Sequence, residues 1–447
     1  MPVSRAILTL IIPTIIGQMV TVIYNMADTF FIGQINNPDQ IAASTLAMPI
    51  FVMMLGIANL FGIGGASLIS RSLGVGDRER AKRTATFSIF GAVFAAAVYG
   101  ICAFLFREPL LDWLGTDSAT YDYCFDYVFW TVTVGAIPTI LSACLAHLVR
   151  AEGYAKEASI GVAIGGVANI ILDPIFIFAF GLEIKGAAIA TMISNAISMV
   201  YFIVLVLKNR KSTCIVADPA LLTLRYGIPK EVLLVGFPSF LMLLMGTASN
   251  LILNKLVVSY SNVALAGLGI AKKLDMLAFA IANGMTQGVM PLIGYNYASG
   301  DRERMSEVIK KSFIYAVGAA TVGAVFLLLC AVPISALFID DGETVEYAQY
   351  FLRTLAITCP AISATMMSIS ALQATGEKNK PLFLSIIRKG GLDIPIVFIL
   401  DAMWGLMAIA WATPLSDLLA MLISLAIFIP HMRSLKGLGA PAQKRDD

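Results

Sequence analysis

Apolar residues run along this chain in long unbroken stretches, each closed by a short cluster of charges, glycines or prolines. Twelve such runs are present, at about 6–32, 41–69, 84–106, 124–149, 157–181, 186–207, 230–259, 262–292, 312–338, 349–374, 381–400 and 404–430. Roughly 20 apolar residues is the length an α-helix needs to cross the hydrocarbon core of a bilayer. The runs are too long for barrel strands and lack their alternation. The opening MPVSRAILTLIIPTIIG has the look of a leader, but it stays apolar to about Ile32 with no small-residue cleavage site, so it is read as the first span. The pattern predicts an all-α membrane protein of twelve transmembrane helices.

The polar breaks give orientation and organisation. With the N-terminus placed in the cytoplasm, most of the 31 Lys and Arg residues fall on that side, and only Arg107, Lys185 and Arg353 fall in loops on the other. The outer loops are acidic instead, with Asp112, Asp117, Asp122, Asp126, Asp340, Asp341, Glu343 and Glu346. An even number of spans returns the C-terminus to the cytoplasm. The string GDRER occurs at 76–80 and again at 300–304. At nearly the same spacing Ile57-Ala58-Asn59 matches Ile281-Ala282-Asn283, Gly64 matches Gly288, Pro13 matches Pro238, Asn25 matches Asn250, and Pro138 matches Pro360. The chain is therefore expected to be an internal duplication: an N-terminal lobe over 1–207, a cytoplasmic linker over 208–229, a C-terminal lobe over 230–432 and a tail over 433–447. Six spans per lobe give two parallel repeats related by a pseudo-two-fold axis along the membrane normal, with a substrate site between them. The GDRER charges themselves read as a solvated inner loop.

Composition agrees. Hydrophobic residues make up 58% and charged residues 13%, the net charge is +2, and the mean hydropathy is +0.82. Soluble domains sit nearer ~45–50% apolar and ~25% charged. A soluble enzyme, a disordered chain and a basic nucleic-acid binder are all excluded. The six cysteines are scattered with no CxxC and no Cys/His cluster, and there are only two histidines, His147 and His431, so neither zinc nor a disulfide framework is expected. His147 reads as a helix-end residue near the inner surface.

Ionisable residues inside spans carry the functional information, because each costs ~2.5–3.5 kcal/mol or more there. Asp28 in span 1 and Asp173 in span 5 lie at similar depth. Asn169 is one turn from Asp173, and Tyr24 one turn from Asp28. Thr191 and Asn195 enter the same layer from span 6. Two carboxylates in a low dielectric do not both stay ionised alone: one takes a proton, or a cation sits between them. Neutral oxygens beside them suit a hard cation such as Na⁺. A buried, hydrogen-bonded Asp pair bracing the bundle is the other reading.

The second half holds Lys255, Lys272, Lys273, Asp275, Arg388, Lys389, Asp393 and Asp417 in its spans. Lys272 with Asp275 and Lys389 with Asp393 are spaced to pair along one helix face, or else to form a polar cavity wall. Lys255 can snorkel. Met53, Met54, Met242, Met245, Met276 and Phe279, with Lys272 and Asp275, are the candidate cavity residues, since Met repacks readily and aromatic faces attract organic cations.

NMADTFFIG after an early-span proline, LGVGDRERAKR after span 2, and RAEGYAKEASI leading to NIILDPIFIF together resemble the multidrug and toxic compound extrusion (MATE) family over almost the whole chain, and are most similar to its bacterial MepA-like or DinF-like branches. The resemblance implies a cation site at Asp28, Asn169, Asp173 and Thr191, which would be Na⁺ ligands in a sodium-coupled protein. It also implies a bend at Pro13 linked to protonation. Some family members place acids in spans 7 and 10; here span 7 offers Asn250, Asn254 and Lys255, and span 10 has no carboxylate, so that second Na⁺ site is not expected. The implied function is a secondary antiporter exporting lipophilic or cationic drugs in exchange for H⁺ or Na⁺, with no other cofactor. Its partners would be small-molecule drugs and the lipid bilayer, with no nucleic acid. The protein would be a monomer of the plasma (inner) membrane. The alternative is a flippase for a lipid-linked sugar or other amphipathic lipid. No HExxH, GxSxG or Cys–His arrangement supports an enzyme.

Overall fold

A computed structural model of the protein describes residues 1–336 and 341–437. Asp340 of the acidic outer loop, and Lys444 and Arg445 of the tail, lie outside the described residues. Within those residues the regular structure is entirely helical. Twelve rods follow one another: α1 Val3–Gly33, α2 Pro38–Gly74, α3 Arg78–Leu105, α4 Tyr121–Val134 with Ala136–Ala151, α5 Ala155–Ala179, α6 Glu183–Lys208, α7 Ile228–Tyr260, α8 Asn262–Ala298, α9 Arg302–Ala336, α10 Gly342–Ala356 with Cys359–Ala374, α11 over 379–404, and α12 Leu406–Leu435. Eight are long and apolar enough to cross a membrane singly, and α4 and α10 do so as bent pairs. The remaining two, α8 and α11, are helices that carry charges inside their apolar runs.

Most rods overrun the apolar stretches that predict them, because the helices start in the polar turns. GDRER shows why. Gly76 and Gly300 adopt φ of +80° and +81°, which glycine reaches without strain. The next residue, Asp77 or Asp301, then caps a new helix by accepting from the Arg80 or Arg304 amide at 2.8 and 2.9 Å. The motif is thus a helix stop and start rather than a free loop. Its arginines are engaged too: Arg80 grips Glu231 at 3.0 Å, joined there by Arg71 of α2 at 3.1 Å, and Arg304 donates to the Met1 carbonyl at 3.0 Å.

The breaks inside rods fall where proline withdraws a donor. Pro138 and Pro360 cannot bond the carbonyls four residues back, Val134 and Ala356. Those two residues end the first segments of α4 and α10, and the bends there are 51° and 44°. In α5 the π-helical stretch Ile175–Ala179 follows Pro174, and in α11 the π-helical stretch Ile387–Asp393 precedes Pro395. Pro13, by contrast, sits in an α1 that continues uninterrupted through it.

The chain divides into two compact units, one of residues 20–240 and the other of 1–19 with the chain from 241 onward. Both α1 and α7 are therefore shared, each giving its N-terminal half to one unit and its C-terminal half to the other. The repeated Gly64 and Gly288 make the exchange sterically feasible. A Cβ on Gly64 would lie 2.0 Å from the Val232 carbonyl of α7, and one on Gly288 would lie 3.0 Å from Ile11 of α1. Small residues at such crossings let helix backbones approach closely in a membrane.

Candidate functional site

Within the unit of 20–240, the C-terminal half of α1 runs along α5. The Tyr24 ring covers Gly166, leaving 2.9 Å to where a Cβ there would lie. Further along, Ile32 packs with Ile177 and Ala187, and the Phe31 and Phe178 rings meet edge to face at 6.5 Å. Asp28 and Asp173 lie between these two contacts, and the charge of one bears on the other. The sequence-predicted pair is brought together. Asp173 and Asn169 are buried, at 0% and 2% exposure. The Asn169 amide donates to Asp173 Oδ1 at 3.0 Å and to the Thr191 hydroxyl at 3.4 Å, joining α5 to α6.

Asp28 Oδ1, Asn169 Oδ1 and Asp173 Oδ2 are all buried and have no hydrogen-bond partner among the described residues. Buried acceptors are normally satisfied, and each exception needs an explanation. Three oxygens, two of them from carboxylates, form a donor set that fits a proton or a hard monovalent cation. Among the described residues no group of three or more His, Cys, Asp or Glu could hold a metal ion.

Other expected residues are placed less centrally. Asn195 donates to the Thr139 hydroxyl of α4 at 3.0 Å. Met54 is buried in the apolar core of its unit and lines no open wall. Met53, Met242 and Met245 are half-buried, while Met276 and Phe279 are exposed. Lys272 does not pair with Asp275: its ammonium donates to Asn254 at 2.9 Å, and Asp275 has the Cys359 thiol beside it at 3.9 Å. Lys389 and Asp393 do pair, at 3.0 Å. His147 lies near the C-terminal end of α4, half-buried, 3.2 Å from Asn59 and 3.4 Å from Arg150, which is itself buried.

Two features escaped the sequence reading. Tyr127 of α4 is half-buried, within electrostatic reach of both Asp28 and Asp173; among the tyrosines of YDYCFDYVFW nothing marks it out. Arg388 and Asp417, read as separate charges, form an ion pair at 2.9 Å with side chains only 4% and 1% exposed.

The MatE family model matches this chain twice, over residues 13–175 and 238–399, so the duplication is visible at family level. A multidrug export protein MepA from Staphylococcus saprophyticus is 31% identical over 416 residues, 93% of this chain and 91% of that one. A multidrug export protein MepA from Staphylococcus aureus is 30% identical over 433 residues, 95% and 93% of the two chains. Among solved structures, a mutant of the Vibrio cholerae MATE transporter VcmN matches with a TM-score of 0.89 at 22% identity, over 98% of this chain and 99% of that one. An outward-facing multidrug resistance MATE transporter of the MOP superfamily matches with a TM-score of 0.92 at 24% identity, over 98% of each chain.

Proposed function

Since the chain belongs to the MatE family, we propose that this multi-pass membrane protein exports drugs, as the names of its staphylococcal relatives say of them, that these drugs are lipophilic or cationic, and that export proceeds by exchange for H⁺ or Na⁺ bound at Asp28, Asn169, Asp173 and Thr191. The observation that carries the ion site is the trio of buried oxygens left without partners on Asp28, Asn169 and Asp173. A carboxylate pair shielded from water favours any small cation that neutralises it.

Exchange requires that ion and drug bind with unfavourable coupling, so that each expels the other. The cation enters from outside and draws the α1 and α5 carboxylates together. α1 then repacks along its length, Pro13 included, and drug affinity falls. On the inner side the ion leaves and the next drug binds. Tyr24 and Tyr127 border the carboxylates and limit water access; Asn195 braces α6 against Thr139. In this reading the protein resides in the plasma (inner) membrane as a monomer, with both termini in the cytoplasm, and catalyses no chemistry.

The test is drug efflux in cells and from proteoliposomes under an imposed proton or sodium gradient, one at a time. Asp28→Asn and Asp173→Asn are expected to abolish efflux at unchanged protein level. Wild-type rates in both variants would remove the site from the mechanism.

A further inference from the structure

The internal duplication can be followed into the ion site itself. The α6 stretch Ala190-Thr191-Met192-Ile193-Ser194-Asn195 reads against Ala412-Thr413-Pro414-Leu415-Ser416-Asp417 of α12. The α5 stretch Leu172-Asp173-Pro174-Ile175 reads against Leu392-Asp393-Ile394-Pro395 of α11, which sets Asn169 against Lys389. The register of Pro13 with Pro238 and Asn25 with Asn250 sets Asp28 against Leu253 and Tyr24 against Ser249. The second half thus retains the α5-type aspartate and the α6-type threonine. It replaces the amide with an ammonium and the α1 carboxylate with a buried leucine.

The geometry follows the substitution. In the first half the Asn169 amide donates to Asp173 at 3.0 Å. In the second the Lys389 ammonium donates to Asp393 at the same distance, the Ser249 hydroxyl donates to the same oxygen at 2.5 Å, and Thr413 stands beside the carboxylate. Asp417, the counterpart of Asn195, takes the Arg388 guanidinium at 2.9 Å. Lys272 and Asp275 of α8 complete the charged surroundings, with the Cys359 thiol of α10 against Asp275. The six charges balance, three of each sign. In the first half Asp28 and Asp173 have no basic side chain paired with them among the described residues. One half needs a mobile cation, and the other has none to gain.

We propose that the second half carries a copy of the first-half ion site whose cation is built in as the Lys389 ammonium, so that ion coupling is confined to the first half and removal of this ammonium opens a second cation site at Asp393, Thr413 and Ser249. The inference rests on the reading of Asp28 and Asp173 given above.

The experiment measures thermal unfolding of the full-length protein in detergent, in sodium chloride against choline chloride at equal ionic strength, and in acidic against alkaline buffer. A cation that binds only the folded state raises Tm. Asp173→Asn is expected to lose the wild-type response. Adding Lys389→Asn to Asp173→Asn is expected to restore a response, to sodium or to acid, of about 2–4 °C, and adding Asp393→Asn to that pair to remove it again. A Lys389→Asn/Asp173→Asn protein as indifferent to both cations as Asp173→Asn overturns the proposal. If Asp173→Asn alone keeps the full wild-type response, it is the first-half reading that fails. Should Lys389→Asn not fold, the charge-balanced Lys389→Asn/Asp393→Asn protein decides: it must keep the wild-type cation response unchanged, and a diminished response overturns the built-in cation.

Discussion

Asp28 and Asp173 could be picked out from sequence because an acid inside an apolar run has few tolerable explanations. Tyr127 and Thr139 could not, since tyrosine and threonine are ordinary in membrane helices. Charge pairing fell between these cases. Lys389–Asp393 follows from helical spacing, but Lys272 prefers Asn254 on another helix, a choice made by tertiary packing that no periodicity contains. Arg388–Asp417 is of the same kind and gives a sharp prediction. With both side chains buried, Asp417→Asn strands a guanidinium and is expected to cost about 3–5 kcal/mol, whereas Arg388→Met with Asp417→Leu removes both charges and is expected to be neutral or stabilising. Thermal unfolding in detergent separates the two outcomes. If the single variant is as stable as the double, the pair does not contribute as a buried ion pair should.

At the scale of the helices, length and apolarity located all twelve rods but not their breaks: Pro138 and Pro360 stand at bends, whereas Pro13, Pro49, Pro238 and Pro291 sit inside helices that continue through them. The ends were less legible, because a helix continues through polar turns wherever a cap exists, as after Gly76 and Gly300. What the repeated glycines do was not legible at all. Gly64 and Gly288 are conspicuous in sequence only as a match, while in the fold each lies under a helix contributed from the far half of the chain. Space therefore decides what a methyl group does there. Gly64→Ala would drive a Cβ to within 2.0 Å of the Val232 carbonyl and is expected to cost at least about 1–3 kcal/mol, with loss of folded protein. Gly288→Ala, at 3.0 Å from Ile11, should be milder. Gly246→Ala in α7 meets nothing within 4 Å and should stabilise by about 0.5–1 kcal/mol through reduced backbone entropy in the unfolded chain. Expression level and Tm across the three variants test the ordering. A neutral Gly64→Ala would mean that the α2–α7 approach is looser than drawn.

For the molecule as a whole, the duplication supplies two similar halves, and the exchange of α1 and α7 makes each depend on the other. Residues 1–19 belong with the chain beyond 241, and 228–240 belong with the first half. Glu231 is held by Arg71 and Arg80 of the first half, and the Met1 carbonyl by Arg304 of the second. Each repeated turn therefore anchors the start of a helix that its own half does not encode. The connection between the halves is partly fastened as well. Thr213, Cys214 and Ile215 are buried, Glu152 accepts from Thr213 at 2.5 Å and from the Cys214 amide, and Thr86 donates to the Val216 carbonyl at 2.8 Å. From Ala217 to Gly227 the residues run mostly exposed before Ile228 is buried again. A chain cut between Leu222 and Leu224 severs no buried contact, so the two fragments expressed together are expected to assemble and restore drug efflux. Either fragment alone lacks a helix half that its unit requires and is expected to be degraded. Separate tags on the fragments, immunoblots of single and joint expression, and drug susceptibility of the cells give the reading. Stable accumulation of the second fragment by itself would show that residues 1–19 are dispensable to that unit, and that the shared helices are not what binds the halves into one protein.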